Sequence, residues 1–248
     1  MVQSGKGIPI VFIHGFCEDM SIWDSVTSSL TQDCRAITID LPGFGKSDNL
    51  EIPQSLADLA KQVHQKITAI GITQYAVVGH SLGGYVSLEL AKQYSHNITG
   101  IALIHSTAFA DDPEKQRTRL KTIDFVRKRG VNRFVRSFVP QLFADKTHPS
   151  IDTVLTQAVN TKLEVLEKYT LLMKDRSDNS STFKNWKKVC FFIVGLEDGL
   201  VPIAMSRMHK KLMSADHYIE LEKVAHMGMY ESPDQIASLI RKFSTNIS

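Results

Sequence analysis

The chain has 248 residues, 43% of them hydrophobic and 22% charged, with a formal net charge of +3. That length suits one large α/β domain or one domain with an insertion. So small a charge gives no argument for a nucleic-acid partner. The three cysteines, Cys17, Cys34 and Cys190, are an odd number at no metal-like spacing. They are expected to be free thiols in a reducing compartment, not a disulfide framework. The opening Met-Val-Gln-Ser-Gly-Lys-Gly holds no apolar core of signal-peptide length. No stretch approaches the ~20 apolar residues of a membrane span. A soluble, cytoplasmic protein is expected, monomer or homodimer, without membrane or nucleic-acid partners.

Taken in order, Ile8 to His14 is an apolar run that stops at a loop, His14-Gly15-Phe16, and is expected to be a buried strand. Ser21 to Leu30 carries Ile22, Trp23, Val26 and Leu30 at helical spacing. Cys34 to Asp40 is a second strand. The loop Asp40-Leu-Pro-Gly-Phe-Gly-Lys-Ser-Asp48 is rich in Pro and Gly. Ser55 to Ile70 is a helix with an N-cap serine, closed by Gly71. Tyr75 to Val78 is a buried strand, followed after one turn by an amphipathic stretch of about three helical turns. Gly100 to Ser106 contains another strand. Alternation of strands and helices implies a parallel sheet covered on both faces.

The rhythm breaks at about Thr107, and no buried strand is expected from there to about Lys188. Asp112-Pro113 opens a helix that Gly130 closes. Further helical stretches are expected at Asn132 to Val139, at Ile151 to about Leu172, and near Phe183. The strand pattern returns at Val189 to Gly195. A helix (Ile203 to Leu212), a strand (His217 to Leu221) and a final helix (Pro233 to Phe243) complete the chain. The reading is an α/β core at 1–106 and 189–248, with a helical insertion at 107–188.

Between the strand at Tyr75 and its helix lies Gly79-His-Ser-Leu-Gly-Gly84, a Gly-x-Ser-x-Gly motif around Ser81. Alone the motif is weak; between a strand and a helix it is informative. Ser81 would be forced into a strained conformation, with Gly79 and Gly83 removing side chains that would clash. The helix beginning just after it would aim backbone N–H groups and its positive end at whatever Ser81 attacks. Here the chain resembles the α/β-hydrolase superfamily, nearly end to end. The fold implied is a mostly parallel, doubly wound sheet, with the helical insertion as a cap over the active site.

The family's chain order is Ser, then Asp or Glu, then His. After Ser81 come Gly195-Leu-Glu-Asp198-Gly-Leu-Val-Pro202 and Val224-Ala-His226-Met-Gly-Met-Tyr-Glu231. The resemblance implies Asp198 as orienting acid and His226 as base. All three residues would fall beyond the C-terminal ends of strands, where α/β sheets bind ligands. It also implies an oxyanion hole from the backbone N–H groups of Phe16 and Leu82, with His14 and Gly15 structural beside the site. Glu197 stays open as an alternative orienter. Asp40 matches a structural loop of the family. His80 lies inside the elbow and His105 ends a strand, while His96, His148, His209 and His217 carry no partner signal, and Cys17 lacks a base of its own.

An aspartate at the elbow would point to haloalkane dehalogenases or epoxide hydrolases; Ser81 argues against both. Residues 111–188 hold 17 Lys/Arg against 10 Asp/Glu. Most of these are expected on solvated faces. The sharper reading is that one or two of Arg117, Arg119, Arg127, Arg133 or Arg136 reach the pocket and favour an anionic substrate. Phe109, Phe125, Phe134, Phe138, Leu142 and Phe143 suit either a pocket ceiling or, more simply, packing between cap and core. The expected function is a serine hydrolase cleaving a small ester-like substrate through an acyl-enzyme, with no metal and no organic cofactor. Lactonase, thioesterase, perhydrolase and C–C bond hydrolase chemistry would suit the same residues. A small-molecule receptor with little turnover is the alternative of another class.

Overall fold

The computed structural model describes residues 1–47, 51–213 and 217–247. The elements in chain order are β1 (Val2–Ser4), β2 (Pro9–Ile13), α1 (Asp24–Ser28), β3 (Arg35–Ile39), α2 (Leu56–Thr68), β4 (Tyr75–His80), α3 (Leu82–Gln93) and β5 (Ile98–Ile104). Then come α4 (Pro113–Arg129), α5 (Val131–Phe138), α6 (Ser150–Ala158), α7 (Leu163–Lys174) and α8 (Ser180–Asn185). The chain closes with β6 (Val189–Gly195), α9 (Ile203–Lys210), β7 (Tyr218–Leu221), α10 (Gly228–Glu231) and α11 (Pro233–Asn246). Asp48, the end of the Pro/Gly-rich loop, lies outside the described residues.

The strands form one sheet of seven, in the order β1-β3-β2-β4-β5-β6-β7. Every pair is parallel except β1 with β3. Side chains along a strand alternate between faces, and here both faces are apolar. Ile10, Phe12, Ala76, Val78, Ala102, Ile104, Phe191 and Ile193 meet α1 and α11 on one side. Val11, Ile13, Val77, Ile101, Leu103, Phe192 and Val194 meet α2, α3 and α8 on the other. The chain leaves β2 for β3 on one side and then crosses to β4 on the other. The loops after β2 and β4 therefore rise side by side, with Ile13 in register with Gly79. Such a switch point is where an open α/β sheet forms a crevice.

Between β5 and β6 the described chain is helical, with no strand. Asp112 caps α4 by accepting the Lys115 N–H, and Pro113 takes the first helical position. The expected single helix from Ile151 to Leu172 is instead two, α6 and α7. Asn160 and Thr161 break it: the Asn160 side-chain amide donates to the Thr156 carbonyl at 2.8 Å and closes α6. The helix expected at Ser21 to Leu30 is a 3₁₀ turn at Met20–Trp23 followed by the short α1. The sequence reading missed β1, an edge strand of three residues with two of them exposed. Among the described residues no helix is long and apolar enough to cross a membrane.

Candidate active site

Ser81 sits between the last residue of β4 and the first of α3, with φ 49° and ψ −113°. That conformation is costly for any residue with a side chain. It is held by packing: a Cβ at Gly79 would lie 2.3 Å from the Gly83 carbonyl oxygen, and one at Gly83 2.2 Å from that of Ile13. Ser81 N–H donates to the Ile104 carbonyl and Ser106 Oγ donates to that of Ser81, fixing the turn to β5. Leu82 opens α3, so its N–H has no acceptor within the helix. The Phe16 N–H meets no acceptor among the described residues.

Asp198 and His226 meet beyond the ends of β6 and β7. His226 Nδ1 donates to Asp198 Oδ2 at 2.8 Å. The other carboxylate oxygen accepts the N–H groups of Leu200 and Val201 at 2.8 and 3.0 Å. Burial works against the Asp198 charge, but His226, helped by His105 and the Val201 N–H, outweighs it and holds the pKa at about 2. Burial likewise opposes the His226 cation; Asp198, with a smaller contribution from Glu18, prevails and raises its pKa. This bond leaves Nε2 as the nitrogen able to take a proton. Of the two adjacent acids, Glu197 is exposed and Asp198 buried. His105 Nδ1 approaches Asp198 at 3.8 Å. That is no ion pair, because the same nitrogen accepts the Gly195 N–H and burial drops the His105 pKa to about 3.

His14 Nε2 accepts the Leu41 N–H at 3.0 Å, and Nδ1 donates to the Gly15 carbonyl at 2.8 Å. It thereby braces the loop that carries Phe16. Asp40 accepts the N–H groups of Met20 and Lys46 and joins two loops. Cys17 is buried, does not line the cavity, and its thiol is pushed far up by burial.

Ser81, His226 and Phe16 line one cavity of about 230 Å³. Phe134, Phe138 and Leu142 form part of its wall, whereas Phe143 is core and Phe125 is exposed. Of the five arginines considered from sequence, Arg119 alone lines the cavity. Arg127 pairs with Glu167, Arg136 donates to Asn132, and Arg117 and Arg133 are exposed. Sequence reasoning missed Lys115 and Glu18, which also line it. Lys115, Thr118, Arg119 and Thr122 follow a helical spacing that puts them on one face of α4, a signal that was available. Among the described residues no group of His, Cys, Asp and Glu could hold a metal ion.

A family model described as alpha/beta hydrolase fold matches residues 8–233, and the chain belongs to that family. An uncharacterized protein of Mycobacterium tuberculosis is 30% identical over 109 residues, 44% of this chain and 32% of that one. The pimeloyl-[acyl-carrier protein] methyl ester esterase of Nitrosomonas europaea is 33% identical over 104 residues, 42% of this chain and 39% of that one. The matched stretches thus span well under half the length of these curated relatives. A thermophilic esterase from Thermogutta terrifontis superposes with a TM-score of 0.92 at 22% identity, covering 99% of this chain and 92% of that one.

Proposed function

We propose that the protein is a serine hydrolase that cleaves a small ester-like substrate through an acyl-enzyme. The observation that carries this reading is the convergence of Ser81 and His226 on one cavity, with His226 Nδ1 bonded to the buried Asp198. His226 Nε2 takes the Ser81 proton as Oγ attacks the carbonyl carbon. The developing oxyanion is met by the N–H groups of Phe16 and Leu82. His226, now charged and steadied by Asp198, protonates the leaving alcohol. Water then attacks the acyl-enzyme by the same route and frees the acid. Helices α4 to α7 act as a cap over the site. The cavity is below the ~300–1,000 Å³ usual for drug-sized ligands, which supports a small substrate. The name of the Nitrosomonas relative, a methyl ester esterase, supports ester chemistry.

The test is a fluorophosphonate probe followed by a panel of short-chain 4-nitrophenyl esters. Labelling of the wild type but not of Ser81→Ala, together with turnover of short esters, supports the reading. An unlabelled wild type that binds esters without hydrolysing them would replace it with a receptor.

A further inference from the structure

The face that α4 turns to the cavity carries Lys115, Thr118, Arg119 and Thr122. The two threonines offer no proton to a ligand. Thr118 Oγ1 donates to the Glu114 carbonyl at 3.0 Å, and Thr122 Oγ1 to that of Thr118 at 3.1 Å. The donors on this wall are therefore the two cations. Arg119 Nε donates to Asp111 Oδ2 at 2.7 Å, and Arg176 Nη1 donates to the other oxygen of the same carboxylate at 2.6 Å. One buried carboxylate thus serves two guanidinium groups, and positive charge is left over. The Arg176 guanidinium also lies 4.3 Å above the ring of Tyr85, itself a lining residue.

Lys115 adds a third cation. Its ammonium, on a half-buried side chain, has no carboxylate or carbonyl partner among the described residues, although the ion pairs of its neighbours are complete. Burial, then Arg119, lowers its pKa, the mark of a cation held without enough water or counter-charge. The acids near it are committed elsewhere. Asp112 accepts the Lys115 backbone N–H, Asp111 holds the two arginines, and Asp198 is bonded to His226 and to the N–H groups of Leu200 and Val201. Glu18, on the same cavity, accepts from Gly15 and contacts His80. A partly desolvated cation facing a cavity is stabilised by an anion that enters it.

We propose that Lys115, backed by Arg119, forms an anion subsite, and that the substrate is an ester bearing a carboxylate on the part that lies against α4. The proposal rests on the hydrolase reading of Ser81. It is tested with two anionic esters, mono-4-nitrophenyl glutarate and 3-acetoxybenzoate, against neutral 4-nitrophenyl butyrate and phenyl acetate. In the wild type at least one anionic ester should have the higher kcat/KM of its pair. Lys115→Met should lower that anionic-to-neutral ratio by about 10-fold or more, through KM, the size expected for one hydrogen bond to a charged group. Lys115→Arg should retain most of the preference. Lys121→Met, on an exposed side chain of the same helix, should leave the ratio unchanged. No anionic preference in the wild type, or an unchanged ratio in Lys115→Met, overturns the subsite while turnover of neutral esters leaves the hydrolase reading standing. Should no ester be turned over, the hydrolase reading fails by itself. Calorimetric binding of glutarate then decides the subsite: weaker binding by Lys115→Met supports it, and equal or absent binding overturns it.

Discussion

Glu18 and His80, 62 residues apart in the chain, meet with Oε2 2.9 Å from Nδ1. The same carboxylate oxygen accepts the Gly15 N–H at 2.6 Å, and His80 Nε2 donates to the His226 carbonyl at 2.8 Å. One buried pair therefore ties together the loop of Phe16, the turn of Ser81 and the loop of His226. A Cβ at Gly15 would sit 2.7 Å from Glu18 Oε2 and 2.8 Å from His80 Nδ1, so a side chain there would push this pair apart. Burial opposes the Glu18 charge, but His80, His14 and the Gly15 N–H together outweigh it and keep the carboxyl below its ordinary range.

Glu18→Gln keeps the shape and removes the charge. It should lower kcat on short esters by about 10-fold, the size of one charge-assisted hydrogen bond, with a smaller change in KM. Glu18 also contributes to the raised pKa of His226. The acid limb of the kcat/KM profile should therefore move to lower pH in the variant. Stopped assays from pH 5 to 9 on folded protein check both effects. An unmoved profile with unchanged kcat would reduce the pair to a structural tie.

Ser81→Ala should cut ester hydrolysis by ~10⁴-fold or more. Its backbone strain adds a second expectation. Glycine adopts φ 49° without the strain that serine or alanine bears there, which costs about 1–3 kcal/mol. Ser81→Gly should therefore be as inactive as Ser81→Ala but melt a few degrees higher, since ~1 kcal/mol moves Tm by about 2–4 °C at this chain length. Equal melting of the two variants would show the turn to be unstrained.

Much of the fold was legible because its signals are local. The run Val189 to Gly195 is a strand at the expected bounds. Ser55 and Asp112 cap their helices through their own side chains. The signals that failed were weak or distant. β1 has only three residues at the sheet edge, and its pairing with β3 supplies order that its composition does not announce. The charge surplus of 111–188 was countable, but only the turn of α4 decides that Lys115 and Arg119 face the cavity while Arg117 faces water. Of the adjacent acids, the resemblance pointed to Asp198 and left Glu197 open; the bend after β6 buries Asp198 and exposes Glu197. Glu18 finds His80 across the switch point, a relation that no local pattern carries.

His209 makes the fold sensitive to acid. It is buried, with Nε2 accepting the Ala108 N–H at 2.9 Å and Nδ1 on the Met205 carbonyl at 3.1 Å. Its ring stacks on Phe192 at 4.6 Å. Burial pulls its pKa down to about 4. An unfolded histidine titrates near ~6.5, so between those values the unfolded chain binds a proton that the folded one refuses. Stability should fall as pH drops through that window, at up to ~1.4 kcal/mol per pH unit for this one group. His105, lowered to about 3, adds to the slope, whereas His226, raised, acts only above ~6.5 and leaves this window untouched. His209→Gln should be less stable at pH 7 but lose less between pH 6.5 and 4.5. Urea melts at several pH values would show this, and an unchanged slope would assign the acid sensitivity elsewhere.

The bond from His226 to Asp198 sets how the reaction depends on pH. The imidazole can accept the Ser81 proton only when neutral, and its pKa lies above the ordinary ~6.5 because Asp198 outweighs burial. On a neutral ester kcat/KM should therefore rise through one ionisation centred above pH ~6.5 and level off beyond it. Asp198→Asn removes the counter-charge and disturbs the tautomer, since an amide can offer Nδ1 a donor as readily as an acceptor. It should lower kcat by roughly 10³–10⁴-fold and move the residual ionisation to lower pH. Glu197→Gln, on an exposed side chain, should change neither rate nor profile. If instead Glu197→Gln is crippled and Asp198→Asn is active, the orienting role belongs to Glu197. A rate flat from pH 5 to 9 in the wild type would remove His226 from the proton transfer altogether.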